Sequence, residues 1–387
     1  MNQYRRVWAE IDLDAIRHNI LEMKRHIRNQ TKLAAVVKAD AYGHGAVWVA
    51  KALEDLADYF AVAVIEEGIE LRNHGIKKPI LIMGYTSPME YAALLQYEII
   101  PTIYCFEDAC KLSEEASKQG KTVKLHIKID TGMERIGFPA VKESVEAIVE
   151  IAKLPNLIIE GMFTHFAKAD ETNKDAMKQQ MRLFLQMKQW MQEHKISIPI
   201  YHAANSATIM EEGDLHLDMV RSGITTYGLY PSDEVHRSTA DLIPAMSLKS
   251  HVVHVKTVEA GVGIGYGWTY VTKHPTTVAT VSVGYADGYK RALSNQAEVL
   301  IRGTRVPVIG RVCMDQIMVD VTSLAEVCVG DVVTLFGTDG EASIPVEEIA
   351  DMACSFNYEF VCGLTRRVER VVRMHNEILD CKNYLFD

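Results

Sequence analysis

Eight short apolar runs, many of them β-branched, are spaced through the first 224 residues, at 33–38, 59–64, 79–83, 98–104, 123–130, 157–164, 198–204 and 217–224. Amphipathic stretches separate most of them, at 13–28, 46–57, 66–73, 107–119, 140–152 and 175–194. The runs are of strand length, and the stretches carry apolar residues at helical spacing. Eight strands, most followed by a helix, is the count that closes a TIM-like (β/α)8 barrel. After about Asp241 the pattern changes. Short runs at 247–258, 277–283, 298–301, 306–309, 316–321, 331–335 and 366–372 are punctuated by glycines such as Gly261, Gly263, Gly265, Gly267, Gly284 and Gly288. This predicts a mostly-β domain, interrupted by one helix near 346–353. A chain of 387 residues is too long for one ordinary core. We therefore expect a barrel domain over 1–241 and a C-terminal β-strand domain over 242–387, with the first residues, to about Glu10, free to pack with the latter.

In such barrels chemistry gathers at the carboxyl ends of the strands. Those ends carry Lys38, Tyr85, Lys128, Asp130, Arg135, His165, Asn205, Ser206, Arg221 and the Gly223-Ile224 backbone, whereas the strand starts carry little of this kind. Lys38 ends an apolar run and opens onto a glycine-containing loop, AVVKADAYGHG. A partly desolvated amine there loses proton affinity and can attack a carbonyl to form a Schiff base. On the strand alone, a lysine snorkelling to water is the more usual explanation. The loops after strands seven and eight are the usual phosphate site of this fold, and here they hold Asn205-Ser206 and Gly223-Ile224. A helix cap and a turn would account for the same residues. A Schiff-base lysine and a phosphate cradle on one barrel face together point to pyridoxal 5'-phosphate (PLP).

Charge and cysteine usage narrow the class further. The formal net charge of −10 argues against a nucleic-acid groove and against binding to anionic membrane. No segment has the length of a signal-peptide core or a membrane span. The seven cysteines, Cys105, Cys110, Cys313, Cys328, Cys354, Cys362 and Cys381, are odd in number and scattered. They read as free thiols in a reducing compartment, which makes the cytoplasm the expected location. Cys105 and Cys110 are too widely spaced for a CxxC pair, and no metal site is expected.

The strings HIKIDTGMERIGF from His126, THFAKAD from Thr164, HAANSA from His202, VRSGITTYGLYP from Val220, GYGWTY from Gly265, GYADGY from Gly284, GRVCMDQIMVD from Gly310 and FNYE from Phe356 follow AVVKADAYGHG in order. Together they resemble the alanine racemase family, from Arg6 to about Val372. The resemblance implies a PLP-dependent isomerase of the fold-type III class that interconverts L-alanine and D-alanine, supplying D-alanine for peptidoglycan. It also implies a homodimer with active sites shared between subunits. By the same resemblance Lys38 holds PLP, and Tyr42, Ser206, the Gly223 and Ile224 amides and Tyr358 bind its phosphate, with Asn205 beside them. Arg221 faces the pyridine nitrogen, and His165 packs on the ring and bonds to Arg221. Arg135 meets the ring oxygen and the substrate carboxylate, which the Met314 amide also holds. Tyr266 is the second base and, like Met314, acts across the dimer interface, where Tyr285 narrows the entrance. Lys128 matches a position that some members carbamylate, and its carbamate would orient Arg135; an ordinary ion pair with Asp130 is the competing expectation. His44, His126 and His202 are expected to be structural.

The chemistry of this set is coherent. Racemisation removes the α-proton from one face and returns one to the other, which calls for two bases, Lys38 and Tyr266. The resemblance assigns Lys38 to the D isomer and Tyr266 to the L isomer. A phenol begins near a pKa of about 10, so nearby positive charge, such as the His165–Arg221 pair, would be needed to make it a base. A guanidinium at the pyridine nitrogen cannot accept a proton, so the ring is a weaker electron sink and reprotonation is favoured over transamination. Asp40 stands where the family often has asparagine, adding negative charge near Lys38, and Gly265 and Trp268 stand where serine and alanine are common. Strictness for alanine over serine is therefore open. A PLP-dependent decarboxylase of basic amino acids shares the architecture but lacks a base like Tyr266. A non-catalytic PLP-binding barrel lacks the C-terminal β domain.

Overall fold

The computed structural model describes residues 5–386; residues 1–4 and 387, the outermost residues of the two expected domains, lie outside the described residues. The chain forms two compact units. A barrel unit comprises residues 16–41 and 45–243; a β unit comprises the residues up to Ala15, Tyr42–His44 and those from Pro244 onward. The first strand, β1 (Val7–Asp12), belongs to the β unit, and α1 (Leu13–His26) leads from it into the barrel unit.

In the barrel unit strands and helices alternate: β2 (Lys32–Val36), α2 (Ala46–Leu53), β3 (Tyr59–Val62), α3 (Ile65–Asn73), β4 (Ile80–Ile82), α4 (Tyr91–Gln96), β5 (Thr102–Ile103), α5 (Phe106–Gln119), β6 (Val123–Asp130), α6 (Lys142–Ile151), β7 (Leu157–Phe163), α7 (Asp175–Glu193), β8 (Ile200–His202), α8 (Ser206–Glu211) and β9 (Met219–Ser222). Neighbouring strands pair in parallel from β2 to β4 and from β5 to β8, and β9 pairs with β2, Met219 opposite Lys32. A bridge between Leu81 and Ile100 joins the two arcs at one side. At the other, Asp218 donates to the Tyr201 carbonyl and Arg221 to the Ala204 carbonyl, each at 3.0 Å. The eight parallel strands thus close on themselves, as the alternation predicts. The helices follow from one-sided burial: α7 buries Met177, Gln180, Met181, Phe184, Met187 and Met191, which recur every three to four residues.

Boundaries moved where local chemistry intervened. The run predicted at 98–104 contributes only Thr102–Ile103, because Glu98 takes a left-handed turn and Pro101 has no N–H for the ladder. Helix α4, which the sequence reading left out, is a short six-residue element of mostly non-polar residues. Inside the barrel, Ala34, Tyr59, Leu81, Ile100, Ile200 and Met219 pack as one buried layer. They come from six different strands or strand entrances, so this layer fills the lumen.

In the β unit, β1 is central. It pairs antiparallel with β10 (Met246–Val258), Val7 opposite Ser250, and parallel with β19 (Glu369–Met374), Trp8 opposite Glu369. The other strands are β11 (Gly263–Ile264), β12 (Tyr270–Val271), β13 (Thr276–Val281), β14 (Glu298–Ile301), β15 (Thr304–Pro307), β16 (Ile317–Asp320), β17 (Val332–Asp339), β18 (Ala342–Ile344) and β20 (Glu377–Lys382). The main sheet runs β15-β14-β17-β10-β1-β19-β20, with β13, β16 and β18 attached off that path. Two helices, α9 (Val346–Met352) and α10 (Asn357–Cys362), stand where one was expected. Strand β20 was not anticipated because it is an exposed edge with no buried alternation to betray it. Among the described residues no helix is long and apolar enough to cross a membrane.

Leu81 is fully buried in the lumen layer. Leu81→Ala leaves a cavity that parallel strands cannot collapse around, so chemical denaturation should report a loss of about 2–5 kcal/mol, whereas truncation of exposed Leu183 should stay within about 0.5 kcal/mol.

Candidate active site

Lys38 follows directly on β2, and Ala34, Val36 and Lys38 share the face whose first member lies in the lumen layer. The chain then does something rare. Ala39, Asp40, Ala41 and Tyr42 all take positive φ, between 50° and 54°. Left-handed backbone costs about 1–2 kcal/mol per non-glycine residue, so it persists only where bonds hold it. Here the Ala41 amide donates to the Val37 carbonyl and the Gly45 amide to the Asp40 carbonyl, each at 2.9 Å. Glu67 receives the Ala39 amide at 2.6 Å and, on its other oxygen, the Ala63 amide at 2.7 Å. The Asp40 carboxylate accepts the Ala46 amide at 2.7 Å. That group opens α2, so this negative charge is engaged by a helix N-terminus. Neither grip was foreseen, and nothing in Ala-Asp-Ala signals a left-handed turn.

Arg221, in β9, lies buried in the lumen. One terminal nitrogen donates to His202 Nδ1 at 2.8 Å; the other meets the Thr164 carbonyl at 2.8 Å, the Ala203 carbonyl at 2.9 Å and His165 Nδ1 at 3.2 Å. No carboxylate is among these partners, and the Nε–H has no bond to protein among the described residues. Burial, with the Arg135 charge nearby, pushes its pKa down to about 9, so it stays a cation at neutral pH. Burial first and the Arg221 charge second hold His165 well below the ordinary imidazole range, so this ring is neutral.

Lys128, in β6, is buried and donates to the Ile129 carbonyl at 2.7 Å. Desolvation lowers its pKa to about 8; Asp130 opposes that shift, and Arg221 and Arg135 add to it. The expected alternative of a Lys128–Asp130 ion pair is not formed. The Asp130 carboxylate is occupied by the amides of Gly132, Met133, Glu134 and Arg135, at 2.8 to 3.2 Å. These bonds shape the loop that carries Arg135, whose guanidinium has no ion-pair partner among the described residues. Asn205 caps α8 by accepting the Thr208 amide at 3.2 Å. Beside it, the Gly223 amide, the Thr225 amide and the Thr225 hydroxyl converge on Ser206 Oγ at 3.0, 3.5 and 3.0 Å. One hydroxyl has two lone pairs, so the cluster has donors to spare. Ile224 opens a short 3-10 helix and its amide adds to that surplus.

The expectation that the strand starts carry little of this kind meets an exception at β6, whose second residue is Lys124. Lys124 and Glu160 form an ion pair at 2.6 Å. From there a line of buried polar groups runs through His126 and His202 to Arg221. The signal was present in the sequence. Lys124, His126 and Lys128 alternate with Leu125, Ile127 and Ile129, and a barrel strand turns its apolar face to the helices and its other face to the lumen.

The β unit carries the remaining predicted residues. Tyr266 lies between β11 and β12 and is 70% exposed. Gly265 before it has φ 67° and ψ −163°, a conformation essentially closed to the serine common there. Tyr285 and Met314 sit on two loops bonded to each other: the Tyr285 amide donates to the Cys313 carbonyl at 3.0 Å and the Ala286 amide to the Met314 carbonyl at 3.1 Å. A Cβ on Gly284 would lie 2.3 Å from the Met314 oxygen, so only glycine permits this approach. Buried Asp287 anchors the first loop, accepting the Gly284 amide at 3.0 Å and both terminal nitrogens of Arg6. The rings of Tyr42 and Tyr358 lie 6.0 Å apart.

A closed (β/α)8 barrel with cationic and donor groups at its carboxyl rim defines a barrel enzyme. Comparison with known proteins identifies which. The model of the family described as "Alanine racemase, N-terminal domain" matches residues 11–231, and that of "Alanine racemase, C-terminal domain" matches 245–372. An alanine racemase of Methanococcus maripaludis is 48% identical over 366 residues, covering 94% of this chain and 98% of the relative. The structure of an alanine racemase from Clostridium difficile 630 superposes with a TM-score of 0.95 at 46% identity, covering 99% of this chain and all of that one. That of Bacillus anthracis, described with bound L-Ala-P, gives a TM-score of 0.93 at 38% identity over the full length of both. The chain belongs to the alanine racemase family, and it is an amino-acid racemase, an isomerase.

Proposed function

We propose that this racemase binds PLP, interconverts L- and D-alanine by a two-base route and works as a homodimer in the cytoplasm, supplying D-alanine for peptidoglycan. The observation that carries the PLP reading is the donor surplus at the barrel mouth. The Ser206 cluster suits a phosphate, and buried Arg221, with no carboxylate partner, suits an unprotonated ring nitrogen. When bound, PLP supplies the electron sink that makes the α-proton of an attached amino acid removable.

The residues do the rest. Lys38, fixed by the left-handed turn behind it, anchors the coenzyme and takes or gives the α-proton on one face. Arg221 would donate to the ring nitrogen and, having no acceptor, would keep that nitrogen from being protonated. His165, a neutral ring, would pack on the coenzyme ring. Asn205 caps the helix that presents Ser206, and the Gly223 and Ile224 amides complete the anion site. Arg135, with its guanidinium uncommitted, receives the substrate carboxylate, aided by the Met314 amide. Tyr266 serves the opposite face from a second copy of the chain; its exposure in the single chain fits a phenol that another subunit covers. Tyr285 narrows the entrance from the same side. The odd number and scatter of the seven cysteines fit a reducing compartment.

Lys128, an amine with its pKa at about 8, keeps roughly a tenth of its population neutral at pH 7, far more than an ordinary lysine, and that fraction can add carbon dioxide with release of a proton. The resulting carbamate would replace a cation between two arginine charges by an anion, which favours the adduct.

Purified protein reconstituted with PLP should be yellow and racemise alanine, and Lys38→Ala should lose both properties. Tyr266→Phe should slow exchange of the L-alanine α-proton much more than that of D-alanine, by on the order of 10²-fold or more. Equal losses for the two isomers, or a fully active monomer in sedimentation, would remove the two-base shared-site scheme. Enzyme grown with ¹³C-bicarbonate should show a carbamate resonance that Lys128→Arg abolishes; an active enzyme without that resonance excludes the modification.

A further inference from the structure

The bonds from Arg221 into the lumen have a direction. A guanidinium has donors and no acceptor, so His202 Nδ1, 2.8 Å away, must offer its lone pair. The proton of neutral His202 then sits on Nε2. That atom is 2.9 Å from His126 Nδ1, which must in turn accept, so the His126 proton also sits on Nε2. The His126 Nε2 atom faces Glu160 Oε2 at 3.6 Å. Both atoms are buried without a hydrogen bond, so each is the other's natural partner. A carboxylate only accepts. The line therefore begins at a group that can only donate and ends at one that can only accept, and one pair of tautomers satisfies every step.

Two features of β7 look built for this line. Leu125 pairs with Ile159 and His126 with Gly161, so Glu160 is an extra residue, a β-bulge. Bulges re-aim side chains and gather near active sites. The next residue is Gly161, where a Cβ would lie 2.5 Å from the His126 ring. Glycine there leaves room for the imidazole. Lys124 holds the other Glu160 oxygen at 2.6 Å and keeps the carboxylate in place. Burial holds His126 and His202 below the ordinary imidazole range, so neither ring gains the second proton that would erase the direction.

We propose that Glu160 and His126 are positioning residues for Arg221: they polarise the His202–His126 pair so that each imidazole proton points away from the guanidinium, leaving Arg221 a pure donor held in one orientation at the barrel mouth. Without the anionic end, His202 can turn its proton onto Nδ1. That would set donor against donor at 2.8 Å and push Arg221 out of place. The inference rests on the proposed role of Arg221 toward the coenzyme ring, but the tautomers are observable independently of turnover.

The test is ¹⁵N NMR of histidine-labelled holoenzyme, with the two resonances assigned by His126→Asn and His202→Asn. Both rings should appear as neutral Nε2–H tautomers. An Nδ1–H tautomer on either ring in the wild type overturns the relay even if alanine is racemised. Correct tautomers in a protein that fails to racemise alanine would instead count against the proposed function alone. Glu160→Leu should populate the Nδ1–H form of His202 and lower kcat by roughly tenfold with a smaller change in KM, while Glu160→Gln, which retains an acceptor, should restore most of both. Unchanged His202 signals and a kcat within about twofold of wild type in Glu160→Leu would reduce Glu160 to packing.

Discussion

Closure of the eight-stranded ring is the constraint from which the rest follows. The backbone bonds from β8 to β9 and the pairing of β9 with β2 leave no free sheet edge, and they commit every second strand residue to an enclosed lumen. Water cannot satisfy polar groups there, so they must satisfy one another. The lumen accordingly sorts into layers. An apolar layer around Leu81 and Met219 accompanies a polar line from Glu160 to Arg221, which reaches the rim where Lys38 and Ser206 stand. Burying a guanidinium is costly, and here it is offset by carbonyls and imidazoles instead of a carboxylate. That choice leaves the cation undiminished at the mouth.

Much of this was legible in the sequence. Strand count, helix periodicity and the change of character past Asp241 led to the architecture, because each depends on repeated burial patterns that survive small boundary errors. Lys38, Lys128, His165 and Arg221 are candidates because of their places at strand ends. What stayed hidden depends on single backbone torsions or single added residues. The left-handed turn at 39–42 contains no glycine or asparagine to announce it. The bulge at Glu160 shifts one residue of register inside an otherwise regular strand. The histidines read as structural, and the alternation of His126 with apolar neighbours already places it inside the ring.

The β unit solves a different problem. Its candidate side chains, Tyr266, Tyr285 and Met314, are all substantially exposed, so packing cannot hold them. For Tyr285 and Met314, backbone bonds between their two loops do so instead, and these depend on the absent side chain of Gly284 and on buried Asp287. Arg6, at the start of the chain, completes the Asp287 anchor. Loops locked in this way can present groups outward with little conformational freedom left to lose, which is the condition for binding through them at low entropic cost.

The threading of the chain has a temporal consequence. The polypeptide passes between the two units four times, after Ala15, Ala41, His44 and Ile243. Strand β1 is made before the other described strands, yet its sheet partners begin at Met246 and Glu369. It must wait unpaired until the barrel unit has been made, and its second side stays open until β19 follows. Nascent copies therefore expose a β-prone segment while the barrel unit is being made, and maturation becomes a late event that a chaperone holding that segment could govern.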